Sequence, residues 1–292
     1  MDWQKGERSQ NVEVDSGGGG GGGGPRFGGG RGMGIGGIVI LAILGLVFFK
    51  DPTALLSQVD GGGGQQVSAP SNGQPYTPDP RQQDFVKAVL GSTEATWTGI
   101  FSEHGKTYTD PKLVLFQGGV NTACGAASSA VGPFYCPGDQ KVYLDLGFFT
   151  ELETRFHTVG DFARAYVIAH EVGHHVQNLI GVFAQVDQAR RRGARMEGAD
   201  GLSVRQELQA DCFAGVWANR TQQRLQWLHE GDVESALNAA SQIGDDNLQK
   251  QAQGRVVPDS FTHGTSAQRV KWFSAGFKSG DMSACNTFNG PV

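Results

Sequence analysis

The apolar positions along the chain fall into two periodic patterns. Between residues 162 and 180, Ala165, Tyr166, Ile168, Ala169, Val172 and Val176 recur at the three-to-four spacing of an amphipathic helix. Gly160-Asp161 marks its start and Gly181 its stop. A second helix is predicted from residue 81 toward 101, with Phe85, Val86, Val89 and Leu90 on one face. Asp79-Pro80 supplies its N-cap and first position. Ser203 and Gln206 have the spacing of a capping box, which predicts a helix running through residue 219. Further helical patterns cover residues 182–195, 232–243 and 266–278. Short apolar runs predict strands at 112–116 (KLVLF), 134–135 and 141–145 (KVYLD), the last two joined by a Pro-Gly-Asp turn. The fold class is therefore α+β: a mostly helical domain with a small β-sheet over residues 76–292, with no internal repeat.

The first 75 residues read differently. Of the 45 glycines, 22 lie in residues 1–80, including an unbroken run at 17–24. Residues 1–33 are predicted to be a disordered Gly-rich tail, because they hold too little apolar surface to offset the entropy of ordering. A phosphate-cradling loop would need a strand before the glycines and Gly-Lys-Ser after them, and neither is present. Residues 34–49 (GIGGIVILAILGLVFF) carry no charge, and from Gly32 onward 18 residues are uncharged. That is the short end of the ~17–25 needed to cross a bilayer. A buried helix has no partner between two polar, Gly-rich stretches. A signal peptide would begin nearer the start and end in a small-residue cleavage site, which Phe48-Phe49-Lys50-Asp51-Pro52 does not offer. The segment is predicted to be one uncleaved N-terminal transmembrane helix. Lys5, Arg8, Arg26 and Arg31 precede it and Lys50 comes after it, which puts the tail in the cytoplasm and the domain outside. Residues 50–75, with a glycine run at 61–64 and Pro70 and Pro75, read as a flexible linker.

Charge and cysteine content narrow the function. A net charge of −5 argues against nucleic acid as a partner, since phosphate contacts need a basic face. All four cysteines lie beyond residue 120, and no CxxC occurs, so a four-cysteine zinc site is a poor fit. Two disulfides suit an oxidising compartment. Four cysteines allow three pairings. The pairing expected is Cys124–Cys136, which flank a short glycine-containing loop, with Cys212–Cys285.

The sharpest chemical signal is His170-Glu171-Val172-Gly173-His174, an HExxH on the strongest predicted helix. Positions i and i+4 share a helix face, so both imidazoles can address one Zn2+. Glu171 projects about 100° away and can reach a water without being a ligand. A catalytic zinc site needs a third ligand and an open position. Glu207 and Asp211 share a face of the next helix. One carboxylate can bind the metal and the other can accept the free N–H of a ligating histidine. Ala210, Ala214 and Gly215 are small enough to let the two helices approach. An exposed acidic pair is the plain alternative. The pattern HExxHxxGxxH fails here, because Gln177 and Ile180 stand where it requires Gly and His. His175 lies about 100° from His174 and is expected to be a supporting or exposed residue. His104, His157 and His229 lack partners at ligand spacing.

HEVGHHVQNLIG (170–181), RQELQADCFAGVWA (205–218), FYCPGDQKVYLDLGFF (134–149) and HGTSAQRVKWFSAGF (263–277) resemble the bacterial putative neutral zinc metallopeptidase family. The resemblance covers about residues 76–290, and that family often carries an N-terminal anchor. It implies a gluzincin-type zincin fold, with His170, His174 and Glu207 as ligands of one Zn2+ per chain, and it supplies no substrate. Phe261-Thr262-His263-Gly264 and the helix carrying Arg269 are similar to an element of the membrane-associated CAAX-prenyl endopeptidases. That similarity implies a catalytic role for His263 toward the oxyanion and a bracing role for Arg269. A solvated histidine in a capping loop is the alternative. Zincin folds also imply a substrate-pairing edge strand, for which residues 141–145 are the candidate.

The expected function is a membrane-anchored zinc endopeptidase at a bacterial inner membrane, with its domain on the periplasmic or extracellular side. Glu171 is its general base, Asp211 orients an imidazole, and a peptide or protein is the substrate. The alternative is a zinc-binding scaffold or peptide-holding pseudo-enzyme, in which His263 or His175 completes a structural site.

Overall fold

A computed structural model describes residues 1–15, 76–156 and 160–292. The rest of the expected tail, the apolar segment 34–49, the linker 50–75 and His157 lie outside the described residues. Among those described, no helix is long and apolar enough to cross a membrane.

The main sheet has four strands, β1 (Val12–Val14), β2 (Lys112–Phe116), β5 (Phe134–Cys136) and β6 (Lys141–Asp145), in the order β1-β2-β6-β5. The β1/β2 and β2/β6 pairs are parallel, and β5 runs antiparallel to β6. KLVLF is apolar without alternation because both faces of β2 are covered. Leu113 and Leu115 face the helices, whereas Val114 and Phe116 pack with Val120, Cys136 and Tyr143 on the other side. That second face lies under a hairpin of β3 (Gly119–Thr122) and β4 (Gly125–Ser128), which the Cys124–Cys136 disulfide ties to β5.

Eight helices are described: α1 (Pro80–Glu103), α2 (Gly147–Phe156), α3 (Asp161–Leu179), α4 (Val182–Arg191), α5 (Leu202–Leu225), α6 (Asp232–Gln242), α7 (Asp245–Gln253) and α8 (Ser266–Ser279). The Asp79 side chain accepts from the Gln82 amide at 2.9 Å and caps α1. α3 is the central helix and packs against α1, α5 and α6, so it is buried nearly all round. α5 packs in turn against α8. Trp97 meets Phe213 edge-on at 5.4 Å, and Phe162 stacks on Trp217 at 5.9 Å, joining α1, α3 and α5 in one core.

Three expectations are corrected. Residues 1–15 are not part of a disordered tail. Trp3 is 4% exposed in the core, and Val12–Val14 is the first strand of the sheet. Local composition hid this, because Trp3 finds its partners in α1 and α3. The segment 141–145 is not an edge strand. It lies between β2 and β5, and β5 holds the edge. Ser203 does not cap α5, which begins at Leu202 after an N-cap at Gly201 with no side-chain cap. The preceding loop folds back, and the Leu202 and Ser203 amides donate to the carbonyls of Arg195 and Met196. The first turn thus has backbone partners already, and the capping box is found instead at Thr265 and Gln268, opening α8.

The second disulfide, Cys212–Cys285, joins α5 to the segment after α8 across a sequence separation of 73, with both residues fully buried. A loop of that length corresponds to about 4 kcal/mol of unfolded-state restriction in the chain-entropy treatment. The Cys212→Ala/Cys285→Ala variant is expected to lose that much stability in urea unfolding, and an unchanged midpoint would contradict it.

Candidate metal centre

The centre is assembled where α3 crosses α5. Gly173 sits at the crossing, and a Cβ there would lie 3.0 Å from Ala210 O and 3.1 Å from Ala210 Cα. A side chain at 173 would therefore need the Ala210 backbone of α5 to give way by a few tenths of an ångström. Gly215 serves a different contact, against α8.

This close approach brings three side chains together. His170 Nε2 lies 3.2 Å from Glu207 Oε2, and His174 Nε2 lies 3.5 Å from Glu207 Oε1. One ligand atom from each of His170, His174 and Glu207 falls within 4.8 Å of the others, and all three residues are buried. Glu171 is buried beside them at 8% exposure. Burial pushes its carboxyl above the usual range, and the neighbouring His174 and His170 oppose this only in part.

The outer nitrogens of both imidazoles are also held. His170 Nδ1 donates to Asp211 Oδ1 at 2.8 Å. His174 Nδ1 donates to Gln177 Oε1 at 2.9 Å, and Gln177 Nε2 donates to Gln206 O and Gln209 Oε1. These bonds leave both Nε2 atoms facing Glu207 and fix the ring planes. The role of Gln177 is not among the sequence expectations. Its one signal there is its i+3 position after His174, on the same face of α3.

Asp211 is fully buried and is met by Arg269 in a two-pronged contact, Nε to Oδ2 and Nη2 to Oδ1, both at 2.8 Å. The Tyr166 hydroxyl donates to the same Oδ1 at 2.5 Å. Burial alone would raise the Asp211 pKa, but Arg269 and His170 outweigh it and hold the group at about 2. Burial likewise disfavours charge on His170, yet Asp211 and Glu207 raise its pKa to about 10. Glu207 lies well below the carboxylate range, since the two imidazoles overcome its desolvation.

His263 lies on the loop before α8 and lines the same cleft. Its position depends on Asp245, a residue that no motif or spacing marks out. Asp245 Oδ2 accepts from the amides of Thr262, His263 and Gly264 at 2.6–3.0 Å, and Oδ1 accepts from His263 Nδ1 at 3.2 Å. The Nε2 of His263 is thereby the free nitrogen. His175 points elsewhere. Its Nε2 donates to Thr109 O at 2.7 Å and its Nδ1 accepts from the Tyr135 hydroxyl at 3.0 Å. It is fully buried and not exposed. His229 meets Asp2 and His104 meets the Ile100 carbonyl, both away from the centre.

The cleft above the centre has a volume of about 180 Å³. Its walls are apolar, formed by Phe134, Tyr135, Phe148, Val167, Phe183 and Ile243, and its floor carries the histidines and carboxylates.

Residues 1–288 match the family described as "Putative neutral zinc metallopeptidase". The chain belongs to that family. It is 48% identical over 291 residues to the Escherichia coli K12 protein YpfJ, covering 99% of each chain; that protein is described as uncharacterized. It is 47% identical over 214 residues to Rv2575 of Mycobacterium tuberculosis H37Rv, covering 70% of each chain and likewise described as uncharacterized. No solved structure matches. As the zinc metallopeptidase family implies, the chain presents a zinc-type donor set of two imidazoles and one carboxylate.

Proposed function

We propose that the chain is a zinc-dependent endopeptidase in which His170, His174 and Glu207 hold the metal and Glu171 is the general base. The observation that carries this reading is the convergence of three buried donors on one point beside a buried carboxyl, at the floor of an apolar cleft. The donor set suits Zn2+: Nε2 of both rings is directed at the carboxylate, and both Nδ1 atoms are tied back. Zinc bound there supplies Lewis acidity, which acidifies water and polarises a carbonyl.

The chain's own residues supply the remaining functions. Glu171 takes a proton from the attacking water and returns it to the departing amine nitrogen. Its raised pKa brings it nearer the range in which one group performs both transfers. His263 presents Nε2 to the cleft and can donate to developing negative charge on the peptide oxygen. Asp245 accepts from Nδ1 and favours the protonated ring, whose Nε2–H can then donate, whereas Asp211 holds His170 in the tautomer that leaves its Nε2 lone pair free. Edge strand β5 contributes Phe134 and Tyr135 to the cleft wall, where an extended peptide can pair by strand addition.

The structural-zinc alternative needs a fourth protein ligand. His175 is committed to Thr109 and Tyr135, and the convergent donor group among the described residues contains three members, without His263. Both facts favour an open site.

The uncharged run at 34–49 and the two disulfides support membrane association and an extracytoplasmic location at a bacterial inner membrane. The test uses the full-length chain purified from an oxidising compartment, assayed for zinc and for cleavage of casein. The wild type is expected to carry about one zinc and to cut. Removing a ligand has a larger effect than removing a supporting residue, which costs about 10–100-fold in metal affinity. Glu207→Ala is therefore expected to lose zinc by at least 100-fold in affinity. Near wild-type zinc content in that variant would overturn the ligand assignment.

A further inference from the structure

Residues 1–15 are fastened to the domain along a continuous path. The Asp2 amide donates to Trp227 O at 2.8 Å. The Trp3 ring meets Phe85 edge-on at 5.5 Å, and its indole N–H donates to Asp161 on α3 at 3.0 Å. Arg8 makes a two-pronged pair with Asp84 at 2.7 and 2.8 Å. The Ser9 amide donates to Lys87 O at 2.9 Å, and the Ser9 and Asn11 side chains both donate to Glu94 Oε1. The backbone runs so close to α1 that a Cβ on Gly91 would lie 2.6 Å from Glu7 O. Beyond this, Val12–Val14 pairs with Leu113–Leu115 of β2, and Glu13 bridges Lys112 and Lys141. The family match also begins at residue 1.

The uncharged segment 34–49 separates these residues from the rest of the same domain. One passage through a bilayer puts the chain before it and the chain after it on opposite faces. A strand cannot pair with β2, nor an indole with Asp161, across a membrane. Two passages are also excluded for this segment, because each takes about 17–25 residues. We infer that residues 1–15 and the metal centre lie on the same side of any membrane the chain meets, so that residues 34–49 are not a single-pass anchor. The basic residues before the segment then do not report a cytoplasmic tail, since they travel with the domain. Removal of the segment as a leader is disfavoured too, because cleavage would sever β1 from the chain.

The test places one epitope in the glycine run at residues 17–24 and a second after Val292 of the full-length chain, and treats oriented inner-membrane vesicles with protease. Both epitopes are expected to be cut from the same face. Recovery of the chain in one soluble compartment with both epitopes would support the same-side placement and remove the bilayer from the proposed function. Cutting from opposite faces would overturn the inference. Trp3→Ala in the full-length chain gives an independent readout. Loss of a buried tryptophan is expected to lower Tm by about 6 °C or more, whereas a Tm unchanged within about a degree would mean that the segment is not docked.

Discussion

Glu171→Ala is expected to retain zinc at the wild-type level and to lose casein cleavage by about 10²–10⁴-fold. Glu171 occupies the HExxH position that projects away from the two ligating faces, and the group of convergent donors does not include it. Metal affinity should therefore survive its removal, whereas proton transfer should not. The carboxyl is buried and carries no salt bridge to Lys or Arg among the described residues. Its loss also removes a desolvated acid, so the variant should be no less stable than the wild type. Glu171→Gln keeps the shape and the hydrogen-bonding reach without the basicity, and should be equally inactive. A variant that cuts at the wild-type rate with zinc in place would exclude Glu171 as the base. Parallel loss of zinc and activity would make it a ligand instead.

Arg269→Ala is expected to be the most damaging single change to the fold around the centre. Asp211 is fully buried, Arg269 is 3% exposed, and they share two hydrogen bonds. Removing the guanidinium leaves a carboxylate in the interior with Tyr166 and His170 as its remaining partners. Breaking a buried pair in this way costs about 3–5 kcal/mol. Arg269→Lys should recover only part of that loss, because an ammonium cannot reproduce the planar two-pronged contact. Asp211→Asn combined with Arg269→Met should be less harmful than Arg269→Ala alone, since neither partner is left charged and unpaired. Urea unfolding of the three variants decides the matter. A loss below about 1 kcal/mol for Arg269→Ala, the range of exposed pairs, would show that the pair is solvated in solution.

Elements with a strong internal period are legible in the amino-acid sequence alone. β2 and β6 appear at the residues anticipated, Lys112–Phe116 and Lys141–Asp145, and α3 differs from its predicted span by one residue at each end. The gathering of His170 and His174 comes from helix geometry alone. The arrival of Glu207 next to them depends on small residues, and Ala210 against Gly173 is the contact that permits it. Partnerships between distant segments are the part that stays hidden. Asp245 is one of two adjacent acids at a helix start, a common surface pattern, yet it organises the His263 loop some 17–19 residues away. Gln177 looks like a failed metal-ligand motif and is the residue that holds His174. Trp3 sits in a segment whose composition argues for disorder, but its hydrogen-bond partner lies 158 residues along the chain. Hydrophobic period reports which face an element buries, and not which remote side chain completes a polar network.

The pairing of His170 and His174 with Glu207 carries a consequence for how the centre is loaded. Glu207 raises the pKa of His174, and Asp211 together with Glu207 raises that of His170 to about 10, so protons compete with a cation for these rings. The buried carboxylates thus favour protonated rings as well as a bound cation. Before either Nε2 can donate a lone pair, its proton must leave. Loading is thus an exchange of protons for a divalent ion, and the apparent affinity falls as the medium acidifies. A compartment that becomes acidic would therefore weaken the protein's hold on the metal.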